Sequence, residues 1–134
     1  MNRYGYLPDD ARHRFRVFGV YRIPFIETHL SANYFFRTGL PYTVTRPSDF
    51  GGTIFQEPRG SSRTEDLHQL DVGLEKQFNL FGTLSVSAIG QVRNLLNHEA
   101  ATTFFSNAAS PATVRTPSAY QQPRNYQVGF RVDF

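Results

Sequence analysis

The sequence predicts an all-β fold of about five antiparallel strands. Apolar residues recur at every second position in five separate segments, the period of a strand with one apolar and one polar face. Phe (13) and Tyr (7) are abundant while Trp is absent, a balance that favours strands over helices. The segments are joined alternately by short and long connections, and the long ones are rich in Gly, Pro and Ser.

The first strand is "HRFRVFGVYRI", His13 to Ile23, with Phe15, Val17, Gly19, Tyr21 and Ile23 on one face and Phe18 and Val20 among Arg14, Arg16 and Arg22 on the other. A tight connection at Pro24 leads into "IETHLSANYFFRT", Ile26 to Thr38. There Ile26, Thr28, Leu30, Ala32, Tyr34 and Phe36 oppose Glu27, His29, Ser31, Asn33, Phe35 and Arg37. After the stretch around "RPSDFGGTIFQEPRGSSRTED", the third strand "LDVGLEKQF" places Leu70, Val72, Leu74 and Phe78 opposite Asp71, Gly73, Glu75 and Gln77, with Lys76 out of pattern. The short "NLFGT" turns the chain into "LSVSAIGQV", where Leu84, Val86, Ala88, Gly90 and Val92 oppose Ser85, Ser87, Ile89 and Gln91. A second long connection, "LLNHEAATTFFSNAASPATVRTPSAYQQP", precedes the fifth strand "NYQVGFRVDF". Both long connections are expected to be polar loops whose Pro and Gly interrupt pairing.

With 134 residues one structural unit is the prior. The charge is +3 with pI ≈ 9.5, but the basic residues are nearly all Arg and are spread along the chain, so no nucleic-acid partner is expected. The absence of cysteine excludes disulfides, thiolate metal sites and thiol nucleophiles. No apolar run of ~20 residues is present, which excludes a membrane helix and leaves a barrel open, because barrel strands hide their hydrophobicity by alternation.

Alternation alone does not separate a soluble sandwich from a membrane barrel. Three features favour the barrel. The strands are long against a usual soluble length of about 5 to 6 residues. The polar face carries ionisable or amide groups, the candidate lumen-lining residues Glu27, Arg37, Asp71, Glu75, Gln77, Gln91, Arg93 and Arg131. Tyr21, Phe25, Phe78, Phe81 and Phe134 gather on the short-turn side, as an interfacial girdle requires. The expected fold is thus a set of antiparallel transmembrane β-barrel strands with long connections outside and short turns on the periplasmic side.

Four stretches resemble the C-terminal end of the barrel of TonB-dependent outer-membrane receptors and transporters, closest to the Oar-like group. "YGYLPDDARHRFRVFGVYRIP" is similar to an extracellular Asp-x-Arg-His segment leading into a descending strand. "FRTGLPYTVT" is similar to an ascending strand with a Gly-x-Pro-Tyr end. "HQLDVGLEKQFNL" followed by "VRNLLN" resembles a late strand pair closed by an Asn-Leu-x-Asn element, and "PRNYQVGFRVDF" resembles the terminal strand. The resemblance implies a Gram-negative outer-membrane transport protein of about 22 strands, with an N-terminal plug and energy from the TonB complex. It implies that residues 1–134 line the lumen, form wall against outer-membrane lipid and carry extracellular loops for substrate uptake. It implies no enzymatic activity and no cofactor.

Five strands do not close a barrel, since the smallest need about eight. The chain is therefore expected to be an incomplete segment, finished at its C-terminal end, without plug domain or signal peptide and partnered by the rest of the barrel. Tyr126, Val128, Phe130, Val132 and Phe134 form a candidate assembly signal, alternate apolar positions ending on an aromatic, read by the barrel-assembly machinery through edge pairing. The alternative function is a free-standing soluble β-rich module that presents the two long loops to a ligand.

Other constellations carry little. "HEAAT" at His98 begins like a zinc-protease motif but has Thr102 where the second ligand must stand, and it is placed in a loop. His13, His29 and His68 are far apart in sequence and are expected to be separate polar residues. Asp71 and Glu75 are expected to form ordinary ion pairs with Arg37, Arg93 or Arg131 rather than to do acid/base work.

Overall fold

The computed structural model describes residues 4–80, 82 and 84–134. Among them there is no helix; the chain is all-β, its sheets are antiparallel and none is closed. Eleven strands occur: β1 Arg14–Ile23, β2 Thr28–Arg37, β3 Pro41–Tyr42, β4 Thr45–Pro47, β5 Thr53–Phe55, β6 Ser62–Arg63, β7 Leu67–Asn79, β8 Ser85–Arg93, β9 Ala101–Phe104, β10 Pro117–Tyr120 and β11 Asn125–Asp133. The five long ones coincide with the five alternating segments of the sequence, to within three residues at each end. They form one sheet in the order β1-β2-β7-β8-β11.

Two compact units divide the chain. One comprises Phe15–Phe35, His68–His98 and Gln122–Phe134 and holds the five-stranded sheet. Its register fixes the faces. β7 and β8 pair Val72 with Val92, Leu74 with Gly90 and Phe78 with Val86. β8 and β11 pair Val92 with Tyr126, Gly90 with Val128, Ala88 with Phe130 and Val86 with Val132. Antiparallel partners share a face, so these residues make one continuous apolar surface. Asp71, Glu75, Gln77, Gln91, Arg93 and Arg131 stand on the other. Lys76 falls on the apolar side, as its position in the alternation requires, and its ammonium lies 5.2 Å from the centre of the Phe78 ring.

The buried residues of this unit are Gly73 and the polar Thr28, Ser85, Ser87 and Asn94. The buried hydrophobic residues among those described, Val44, Ala100 and Ala101, all belong to the other unit. At the sheet's edge Val128 is 79% and Phe130 74% exposed. Among the described residues, the apolar face of this sheet therefore holds no buried hydrophobic side chain of the kind that makes a soluble sandwich core.

The other unit comprises Met1–Arg14, Phe36–Leu67 and Glu99–Gln121, and it corrects the expectation that the long connections lack pairing. They carry three two-stranded sheets, β3 with β6, β4 with β5, and β9 with β10. Pro and Gly bound these strands instead of abolishing them. Pro117 opens β10, a position where a missing donor is tolerated. Gly51 (φ 83°) and Gly52 (φ 91°) make the β4–β5 turn.

Polar side chains bind this unit together. Arg63 donates to the Asp10 carboxylate (3.1 Å), the Asp10 carbonyl (3.0 Å) and the Gly39 carbonyl (2.9 Å). The rings of Tyr42 and Phe104 stack 5.2 Å apart and 3° from parallel. Glu57 accepts from the Val44 amide (3.0 Å), the Ser62 hydroxyl (3.2 Å) and the Arg115 guanidinium (2.8 Å). Burial alone would raise its carboxyl. The Val44 amide, the Ser61 and Ser62 hydroxyls and the Arg115 charge together outweigh that and hold it below the ordinary glutamate value.

Candidate functional site

The polar face of the five-stranded sheet is the surface on which most of the residues singled out from sequence come together. Its centre is Gly73 on β7. A Cβ there would stand 2.6 Å from the Ser31 hydroxyl, and that hydroxyl instead donates to the Gly73 carbonyl (3.3 Å). The missing side chain leaves a shallow hollow of ≈ 170 Å³ lined by, among others, Phe18, Ser31, Asn33, Asp71, Gln91 and Arg93. Gln91 and Arg93 are exposed, and their side chains make no hydrogen bond or ion pair among the described residues. They can present a neutral amide and a guanidinium to a polar solute.

Two acids on this face behave differently. Glu75 accepts from Arg131 two strands away, the two side chains meeting diagonally across β8, where Ser87, opposite Arg131 in the register, is small and buried. Asp133 adds a longer contact to the same guanidinium at 3.9 Å. This is the expected ion pairing. Asp71 departs from it: its carboxylate takes the Gln69 amide (3.0 Å), the Asn33 amide (3.5 Å) and the backbone N–H of Asn94 (3.0 Å). Neither Arg37 nor Arg93 pairs with it among the described residues.

Asn94, 2% exposed, is the keystone at the end of β8. Its φ of 50° is the left-handed conformation that asparagine tolerates better than most residues. Its amide donates to the carbonyls of His98 (3.1 Å) and Gln122 (2.9 Å), and its side-chain oxygen accepts the His98 N–H (3.1 Å). Asn97, also at φ 50°, accepts the N–H of Arg124 (3.1 Å) just before β11. The Asn-Leu-x-Asn element is thus a turn that ties the end of β8 to the start of β11. Its signal in the sequence was the spacing of two asparagines beyond a strand.

Other placements complete or correct the sequence reading. Glu27 lies not in β2 but in the turn before it, with φ 48°. Arg37 is the last residue of β2, and its buried Nε has no hydrogen-bond partner among the described residues. Gln77 donates to the Ser85 hydroxyl (3.1 Å). Tyr126, Val128, Phe130 and Val132 share the apolar face of β11, and Phe134 follows β11 fully exposed. Of the aromatic girdle, Tyr21, Phe25 and Phe78 are exposed, and Phe81 lies outside the described residues. His68 does not stand apart: its ring centre is 5.1 Å from that of His98, and its Nδ1 is 3.0 Å from the Tyr34 hydroxyl. No periodicity in the sequence could pair two histidines that a β-hairpin separates.

No protein-family model, no curated protein and no solved structure matches the chain.

Proposed function

We propose that the five-stranded sheet is a section of the wall of an outer-membrane β-barrel, of the TonB-dependent transport type that the sequence resembles. The apolar face is turned to lipid, the polar face lines the path of a solute, and the long connections stand on the outer side. The observation that carries this reading is a sheet whose alternating apolar face has no fully buried hydrophobic side chain, with Leu74, Phe78, Val128 and Phe130 exposed, and whose buried side chains are polar. In water such a surface is a liability; in a bilayer it is the required wall.

Dimensions support it. Nine residues of β11 at ~3.4 Å each extend ~31 Å, and a tilt of ~40° reduces this to a height of ~23 Å, against an apolar band of about 25 Å. No described helix is long and apolar enough to cross a membrane, which says nothing of strands. The reading includes the uptake role, with Gln91, Arg93 and the Glu75–Arg131 pair as lumen lining. It also includes recognition of β11 by an assembly machinery that adds its own strand to a free edge.

Two experiments test it. After expression in a Gram-negative host, the chain is expected in the outer-membrane fraction. Purified protein is expected to acquire strand structure in micelles and to aggregate without them. A detergent-free monomer that unfolds cooperatively would favour the soluble binding module instead.

A further inference from the structure

The apolar residues that break the alternation of the polar face gather around Gly73. Phe18 and Val20 on β1 stand among arginines, and Ile89 on β8 stands between Glu75 and Gly129 in the register. Phe18 lines the hollow already described; Val20 and Ile89 line a second, of ≈ 210 Å³, that shares Ser31, Gly73 and Gln91 with the first. The two hollows form one trough because side-chain size varies across the strand order β1-β2-β7-β8. Its floor is Ser31 and Gly73, one small side chain and none. Its walls are longer, Phe18 and Val20 on the β1 side and Gln91 and Arg93 on the β8 side. Three strand spacings of ~4.8 Å put the two wall backbones ~14 Å apart, which leaves room for a flat ring between the side chains.

The two walls differ in chemistry. Phe18 is 69% exposed and offers a ring face to another flat apolar group. Opposite it, the Gln91 amide and the Arg93 guanidinium donate to no group among the described residues, and both side chains are exposed. Charge then sets the sign of what they hold. The strands of this unit place Arg16, Arg22, Arg93 and Arg131 on the polar face against Asp71, Glu75 and Asp133. Glu75 and Asp133 are held by Arg131, and Asp71 accepts from two amide side chains and a backbone N–H. The acids are thus satisfied while Arg93 keeps its donors for a ligand, and His29 on the rim of the second hollow adds positive charge when protonated.

We infer that this trough is a binding site for an aromatic carboxylate, its ring against Phe18 and Val20 and its carboxylate on Gln91 and Arg93. A planar carboxylate matches a guanidinium fork, and one guanidinium with one amide matches a single negative charge. The inference rests on the wall reading proposed above, which turns this face to a solute.

The test titrates the full chain, refolded in micelles, with benzoate and follows the amide signals of Gly73, Gln91 and Val128. Saturable shifts are expected at Gly73 and Gln91, while Val128 on the opposite face reports partition into detergent and should not saturate with them. Benzylamine, which reverses the charge, and acetate, which lacks the ring, should each bind at least ~10-fold more weakly. Phe18→Ala and Arg93→Gln remove exposed side chains and should each weaken benzoate about tenfold. Arg22→Gln, the same loss of charge outside the trough, should leave the affinity unchanged. No saturable shift with benzoate, equal binding of benzylamine, or unchanged affinity in Phe18→Ala and Arg93→Gln would overturn the proposal. Failure of the wall reading is read separately: nitroxide-bearing lipids would then leave the signals of Val128 and Phe130 unbroadened, whatever benzoate does at Gly73.

Discussion

Val128 offers the sharpest separation between a lipid-facing and a water-facing sheet. It stands fourth in the nine residues of β11, so with ~3.4 Å per residue and a tilt of ~40° it lies within ~3 Å of the middle of the membrane band. An arginine at that depth costs about 2–4 kcal/mol on the lipid face of a barrel, which corresponds to a ~30- to ~900-fold loss in the folding equilibrium constant. Val128 is itself 79% exposed, so little packing is lost with it. In water the same substitution at so open a site would change stability by no more than about 0.5 kcal/mol. Gln127→Arg, one residue away on the polar face, is the control and is expected to cost close to nothing. The assay is urea-dependent unfolding in lipid vesicles for V128R, Q127R and the unaltered chain. Equal and small effects of the two arginines would refute the assignment of faces.

Three further outcomes follow from the described contacts. Asn94→Ala removes three hydrogen bonds and leaves a Cβ residue at φ 50°; a loss of about 2–4 kcal/mol is expected by denaturation in micelles, with Asn94→Gly recovering only the backbone share. Because the Glu57 carboxyl is lowered in the folded chain, the unfolded chain takes up its proton first as pH falls; the stability it contributes is present above the ordinary glutamate value and is lost as pH drops through the lowered one. Exchange of the Val44 amide should rise over that acid range and should become insensitive to it in Glu57→Gln. A double-mutant cycle on Arg131 and Glu75, both more than a third exposed, should give a coupling of only ~0.2–1 kcal/mol that shrinks with added salt.

The five long strands were legible because a period of two extends over nine or more residues in each, and even the exceptions, Lys76 and Ile89, sit on the faces that parity assigns. The alternating short and long connections made the antiparallel course of these strands readable as well. The small sheets were not, since two- to four-residue strands such as Pro41–Tyr42 and Ser62–Arg63 are too short for any period to emerge. They are held by side chains from afar, as Arg63 is by Asp10. Within the site, the Arg131–Glu75 pair followed from opposite charges on one face. Asp71 did not follow, because its partners are amides and a backbone N–H delivered by the left-handed turn at Asn94. Glu27 was assigned to β2 by parity, yet the chain enters that strand only at Thr28, after the turn at Pro24.

The most direct test of the central claim is a label scan of β11. The chain has no cysteine, so single nitroxide labels can be placed at 126 through 133 in reconstituted vesicles and their collisions with oxygen and with a water-soluble nickel chelate compared. The account predicts a strict alternation, with 128, 130 and 132 reached by oxygen and 127, 131 and 133 by the chelate. Equal access of the chelate to both sets would contradict it.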